Sequence, residues 1–325
     1  MRRRNNFLNN LTIAGAALLF APLFIFGQQN KPPVPSDPDD TVFSSDTRLV
    51  PLNVTVMDKS GRLVTNLPQS AFQVYENGVQ QQIKLFKRED VPVSLGLIID
   101  NSGSMREKRQ AVESAALALV KDSNRQDEVF IINFNDEVYL DTDFTNDIQK
   151  MEQGLTKIDS RGGTAMRDAI RLSAEHLKDK AKRDKKVVLV VTDGNDNASV
   201  ISLDSLTKLA QQDDVLIYAI GLLTDEDKRE AKKAQRALQL LAESTGGTVF
   251  YPKELSEVDR IAHEVARDIR NQYTIGYTPS NAALDGTYRQ IKLVVKAPGN
   301  PIARTRSGYY ATKEQPKTPR ESSSK

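Results

Sequence analysis

Asp100, Ser102 and Ser104 occupy alternate positions in Ile98-Ile99-Asp100-Asn101-Ser102-Gly103-Ser104-Met105, where an apolar run ends in one acid and two hydroxyls. In an extended chain alternate side chains point the same way, so these three can face one ligand; in a helix position 102 would face away. Gly103 allows the tight backbone path between the two serines. Two further polar clusters have the same character: Arg161-Gly162-Gly163-Thr164, ahead of a helical pattern that starts near Ala165, and Thr192-Asp193-Gly194, after the apolar run Val187 to Val191. Singly, each has an ordinary reading. Ser104 with Glu107 makes a capping box, Thr164 an N-cap, Asp193-Gly194 a turn, and Asp100 a cap or an ion-pair partner. Jointly, three separate loops deliver only oxygen donors, Asp100, Ser102, Ser104, Thr164 and Asp193, which caps and turns do not require. Asn101, Gly103, Gly163, Gly194 and Asp196 border these donors and form the edge a ligand would meet, with Asp196 deepening the negative field there.

Oxygen-only donors suit a hard divalent cation, Mg²⁺ first, with Mn²⁺ or Ca²⁺ as alternatives, rather than zinc. Two carboxylates can at most neutralise such an ion, and the remaining donors are uncharged. The ion then keeps an electrophilic position that a carboxylate of a partner protein suits.

The elements that must place these residues follow from periodicity. Leu95 to Ile99, Val129 to Phe134, Val187 to Val191, Val215 to Ile220 and Thr248 to Tyr251 read as strands too continuously apolar to have a wet face. Amphipathic helices lie between them, as in Val112, Ala115, Ala116, Leu119 and Val120. Phe134 to Val138 reads as a hairpin that adds one antiparallel edge strand. The expected fold class is therefore α/β: a doubly wound, mainly parallel, Rossmann-like sheet with helices on both faces, over residues 91–271. Ligands of such sheets bind outside the carboxyl ends of the strands, where all three clusters fall.

Residues 47–90 read as three β strands, with Asn77-Gly78 as a hairpin turn, and residues 272–311 as three more. Neither flank can cover its own sheet, so the two are expected to pair into one small all-β module. Residues 1–27 carry Arg2, Arg3 and Arg4 before the mostly apolar Leu11 to Phe26, the pattern of an export signal. A cleaved signal is favoured over a retained anchor, and the anchor would be the route of any membrane contact. The expected location is periplasmic, secreted or cell-surface. Residues 28–46 are a proline-rich spacer and 312–325 a polar tail, both expected to be disordered.

The 325 residues hold 45 basic and 43 acidic side chains, and without residues 1–27 the balance is 42 to 43. A near-neutral chain argues against nucleic acid as a partner. With no cysteine, disulfides, zinc-thiolate sites and thiol catalysis are excluded.

The Asp-x-Ser-x-Ser at 100, 102 and 104, the Gly-Gly-Thr at 162–164 and the Thr-Asp-Gly at 192–194 resemble, in order, the metal-ion-dependent adhesion site of von Willebrand factor type A domains. The flanking strands resemble those of an exported bacterial subgroup of such proteins. The resemblance implies a central sheet wrapped by helices, hydroxyl ligation by Ser102, Ser104 and Thr164, and acidic ligation by Asp100 and Asp193, directly or through water. It also implies protein binding, for adhesion or assembly, rather than catalysis.

Two other readings stay in view. A Mg²⁺-dependent hydrolase or phosphoryl-transfer enzyme could use the same sheet, although Ser102 stands where an aspartyl-phosphate enzyme has its second acid. A metal that merely ties loops together is the other. His176 and His263 fall on amphipathic helices and read as boundary residues. Asp193 to Asn197 departs from a calcium loop, with Ala198 at its sixth position and Asp204 at its twelfth. Gly246-Gly247 reads as a helix C-cap.

Overall fold

The computed structural model describes residues 49–313, apart from 89, 122, 123, 125, 156–159, 195 and 224–227. The export signal, the spacer and residues 314–325 of the polar tail lie outside the described residues.

The described residues begin with four strands, β1 (Val50–Met57), β2 (Phe72–Glu76), β3 (Val79–Gln81) and β4 (Ile83–Lys87). An alternating α/β stretch follows: β5 (Val93–Asp100), α1 (Arg109–Lys121), β6 (Glu128–Phe134), β7 (Val138–Thr145), α2 (Ile148–Leu155), α3 (Met166–Lys180), β8 (Lys185–Thr192), α4 (Leu203–Gln212), β9 (Val215–Gly221), α5 (Lys228–Thr245), β10 (Val249–Phe250) and α6 (Val258–Arg270). Four strands close it: β11 (Tyr273–Tyr277), β12 (Tyr288–Val295), β13 (Ile302–Arg304) and β14 (Gly308–Tyr310).

The central sheet runs β10-β9-β8-β5-β6-β7, parallel except for β7, which returns antiparallel to β6 as the hairpin at its edge. Every residue of β5, β6 and β9 is buried, as strands covered on both faces must be. On one face Leu95, Leu97 and Ile99 pack with Val112, Ala116 and Leu119 of α1 and Ile261 and Val265 of α6. On the other, Ile98, Phe130 and Val190 pack with Ile170 and Leu177 of α3, Leu206 of α4 and Leu238 of α5. Strands β6 and β7 lie on one side of β5, and β8, β9 and β10 on the other, so the carboxyl ends of β5 and β8 flank the point where strand order reverses. That crevice is where an open α/β sheet accepts ligands.

The flanks form two four-stranded sheets, β13-β1-β11-β4 and β14-β12-β2-β3, each mixing strands from both ends of the chain. They share one apolar core that includes Leu52, Val54, Phe72, Val74, Ile275 and Tyr277. The hairpin turn between β2 and β3 is Asn77-Gly78, both at positive φ. Sequence periodicity counts three strands on each side; the structure has four. The stretch Val79 to Phe86 breaks at Gln82, with β3 joining β2 and β4 joining β11. Ala303 to Ala311 likewise breaks at Thr305 to Ser307, and β13 and β14 enter different sheets. At the second break Arg306 is buried and donates to Asp214 Oδ1 at 2.7 Å and to the Pro51 carbonyl at 2.6 Å.

Candidate metal centre

Three loops meet at the carboxyl edge of β5 and β8. The loop after β5 is laid down by backbone bonds on both sides: Asn101 N–H donates to Phe134 O (2.7 Å), Arg161 N–H to Asn101 O (2.9 Å) and Gly103 N–H to Gly162 O (3.3 Å). The Asn101 carboxamide donates to Asn133 Oδ1 at 2.7 Å, fixing the loop to β6. Gly162 is at φ +76°, and a Cβ there would lie 1.8 Å from Asp136 Oδ1, so glycine is required twice over. The loop after β8 is fastened to the one before α3: Thr164 N–H donates to Asn197 Oδ1 (2.9 Å), while Asn197 and Ala198 N–H groups donate to Thr164 O (3.1 and 3.2 Å). The Asn197 carboxamide crosses Gly163, where a Cβ would fall 2.7 Å from Oδ1.

On this frame Asp100, Ser102, Thr164 and Asp193 are 1, 3, 4 and 8 % exposed. Asp100 Oδ1 accepts from the Ser102 N–H at 2.8 Å and Oδ2 from the Thr192 hydroxyl at 2.6 Å. Burial pushes the Asp100 carboxyl up to about 6, with the neighbouring Asp193 charge acting in the same direction, against the lowering by Thr192 and Ser102. The Ser102 and Ser104 hydroxyl oxygens are 3.2 Å apart, and Ser104 donates to Asp193 Oδ1 at 2.8 Å, joining loops 89 residues apart. Asp193 Oδ2 takes the ammonium of Lys108. The Thr164 hydroxyl borders the Asp193 loop, 3.7 Å from where a Cβ on Gly194 would lie.

The five expected donors are thus gathered at one edge, with Asn101, Gly103, Gly163 and Gly194 in the loops between them. Three expectations need correction. Ser104 is not reached along an extended chain: Ser102 is extended, but Gly103–Met105 is a 3-10 turn. That turn brings the two hydroxyls within 3.2 Å of each other. Neither cap forms. Helix α1 starts at Arg109 and Ser104 turns to Asp193 instead, while the N-cap of α3 is Ala165, without a capping side chain. Asp196 adds little field, because Arg167 neutralises it: its carboxylate accepts from Arg167 N–H (2.7 Å), the Arg167 guanidinium (3.1 Å) and the Ser199 hydroxyl (2.6 Å). It staples the loop to α3.

Periodicity and spacing also left out Thr192, Asn197 and Lys108. Thr192 is the last residue of β8 and shares its motif with Asp193, a usable signal. Lys108 stands in the charged run Arg106-Glu107-Lys108-Arg109, which resembles any solvated helix start.

The donor set is chemically suited to a hard cation: five oxygens, with no nitrogen or sulfur. A positive group, the Lys108 ammonium, already rests on one of its carboxylates. Among the described residues no three His, Cys, Asp or Glu side chains cluster to hold a metal, so the hydroxyls are integral to any such site. His176 lies far from this role, between the Phe130 and Phe144 rings and 2.8 Å from Asp143 Oδ1.

An open, mainly parallel α/β sheet with oxygen donors gathered at its carboxyl edge defines the class. Residues 95–195 match the family model described as von Willebrand factor type A domain. No curated protein matches the chain. Solved structures are similar to parts of the chain at low identity. An aerotolerance-related membrane protein of Bacteroides fragilis is 17 % identical (TM-score 0.45), covering 55 % of this chain and 98 % of that one. The conserved hypothetical protein BatB of Bacteroides thetaiotaomicron is 18 % identical (TM-score 0.43; 54 and 98 %). Proximal thread matrix protein 1 of the mussel byssus, described with zinc in its MIDAS motif, is 15 % identical (TM-score 0.49; 60 and 49 %).

Proposed function

We propose that this chain is an exported protein-binding module. Its carboxyl-edge crevice holds a divalent cation, Mg²⁺ foremost, through Ser102, Ser104, Thr164, Asp100 and Asp193, and offers it to an Asp or Glu carboxylate of a protein partner. One observation carries the reading: three loops far apart in sequence converge on a single set of oxygen donors, buried at Asp100, Ser102, Thr164 and Asp193, with the exposed Ser104 hydrogen-bonded to Asp193 across them. Two carboxylates and three uncharged hydroxyls leave the ion a coordination position that a partner's carboxylate can fill. The von Willebrand factor type A match over residues 95–195 supports the same role. Binding rather than catalysis is favoured because both histidines are engaged elsewhere, His176 with Asp143 and His263 with Asp259. Export rests on residues 1–27. Among the described residues no helix is long and apolar enough to cross a membrane.

The test has two stages. Mg²⁺ or Mn²⁺ is expected to raise the melting temperature of the wild type and not that of Asp100→Ala; equal shifts sink the ion site. Pull-downs with the secreted form are then expected to lose partners on chelation. Identical partners with and without chelator would leave the ion a loop tie and nothing more.

A further inference from the structure

Lys108 lies in the turn between the Gly103–Met105 segment and α1, with its N–H on Met105 O at 2.9 Å and its carbonyl taking Val112 N–H at 3.2 Å. Its ammonium donates to Asp193 Oδ2 and reaches Leu222 O at 3.5 Å. The two side chains of the pair are 15 and 1 % exposed, so this is an inward-facing contact and not a rim salt bridge. Ser104 takes the other Asp193 oxygen. Both oxygens of the Asp193 carboxylate are therefore engaged, one of them by a cation belonging to the chain itself.

We propose that Lys108 sets the specificity of the ion edge. It is a tethered cation that neutralises Asp193 in the ion-free protein, weakens uptake of a divalent ion, and makes a bound ion depend on an anionic ligand. This inference rests on the ion-binding reading above. Charge decides it. Asp100 and Asp193 are two negative charges and Lys108 one positive, so a divalent ion brings the edge to a net single positive charge, and an incoming carboxylate brings it to zero. Without Lys108 the ion alone reaches neutrality and the carboxylate is surplus. The lysine thus couples the two binding events: ion and acidic ligand each raise the affinity of the other, by the same factor.

Calorimetric titration of the full chain with MgCl₂ and MnCl₂ tests this, in chloride buffer and again with sodium acetate as the carboxylate probe. The wild type, Lys108→Met and the charge-retaining Lys108→Arg are compared. Lys108→Met is expected to bind the ion on the order of tenfold more tightly in chloride and to ignore acetate. The wild type and Lys108→Arg are expected to bind more tightly when acetate is present. In EDTA, Lys108→Met should melt below the wild type, because Asp193 loses its partner, and it should gain more from Mg²⁺. If Lys108→Met does not fold in EDTA, Lys108→Gln takes its place in the same titrations. Equal affinities and equal acetate responses in all variants would overturn the inference and leave the ion site standing, with Lys108 an ordinary ion pair. Absence of ion uptake in every variant would instead remove the ion reading, and this inference with it.

Discussion

Asp100 is held by two uncharged donors, the Ser102 N–H and the Thr192 hydroxyl, and is almost wholly buried. Thr192→Val keeps the shape and strands one carboxylate oxygen. A loss of about 1–3 kcal/mol is expected, read from urea unfolding in EDTA. His176 supplies a pH dependence. Burial between Phe130 and Phe144 lowers its pKa below the ordinary 6.5, against the opposing pull of Asp143. The unfolded chain then takes up a proton at higher pH than the folded one, so this group's contribution is complete above 6.5 and is lost as pH falls below it. Melting temperature against pH should be flatter just below 6.5 for His176→Gln than for the wild type; parallel curves would refute the assignment. At this scale the Asp-x-Ser-x-Ser row, the Gly-Gly-Thr and the Thr-Asp-Gly were legible as local patterns of residue type, although the path that brings Ser104 to Ser102 is a 3-10 turn rather than the extended chain their spacing suggests. Lys108 was not. Nothing in Arg106-Glu107-Lys108-Arg109 tells which of its cations turns inward; that is decided by Asp193, which is 85 residues away.

Between elements, the position of Asp193 relative to Thr164 depends on how the loop after β8 is pinned to the first turn of α3. Asp168 accepts from Val200 N–H (2.8 Å) and Ile201 N–H (3.2 Å), and Asp196 takes Arg167 and Ser199. Asp196→Ala removes no proposed ion ligand yet frees that loop. It is expected to weaken Mg²⁺ binding severalfold in calorimetric titration, while the β strands stay folded by circular dichroism. Unchanged affinity would show the loop to be positioned without the staple. Strand and helix alternation was readable because buried parallel strands are uniformly apolar and their helices carry a 3.6-residue stripe. The caps were misread because Ser104 and Thr164 satisfy a capping pattern equally well. For Ser104, Asp193 on another loop outcompetes the local backbone.

The α/β stretch and the β sheets meet through buried polar groups. Asp268 of α6 pairs with Arg304 of β13 and accepts from the Thr55 hydroxyl of β1 at 2.8 Å. Gln272 donates to both Thr55 (3.1 Å) and Tyr218 (3.2 Å). Asp268→Ala would leave a largely buried guanidinium without its counter-charge, at an expected cost of about 3–5 kcal/mol, measurable by denaturant unfolding. A loss under about 1 kcal/mol would show the joint to be carried by packing. Strand breaks at Gln82 and at Thr305 to Ser307 were invisible in the sequence. A chain that switches sheets through one or a few residues needs neither glycine nor proline to do so.

The rung Lys87↔Thr274 places the point where the chain departs for the α/β stretch directly beside the point where it returns. Adjacent strands sit about 4.8 Å apart. A pull on the two ends of the described chain loads β1 and β14 first, and the α/β stretch, whose exit and return are joined at that rung, feels little of it. The carboxyl edge of β5 and β8 would keep its shape under tension until those outer strands give way, a mechanical shelter built into the order of the strands.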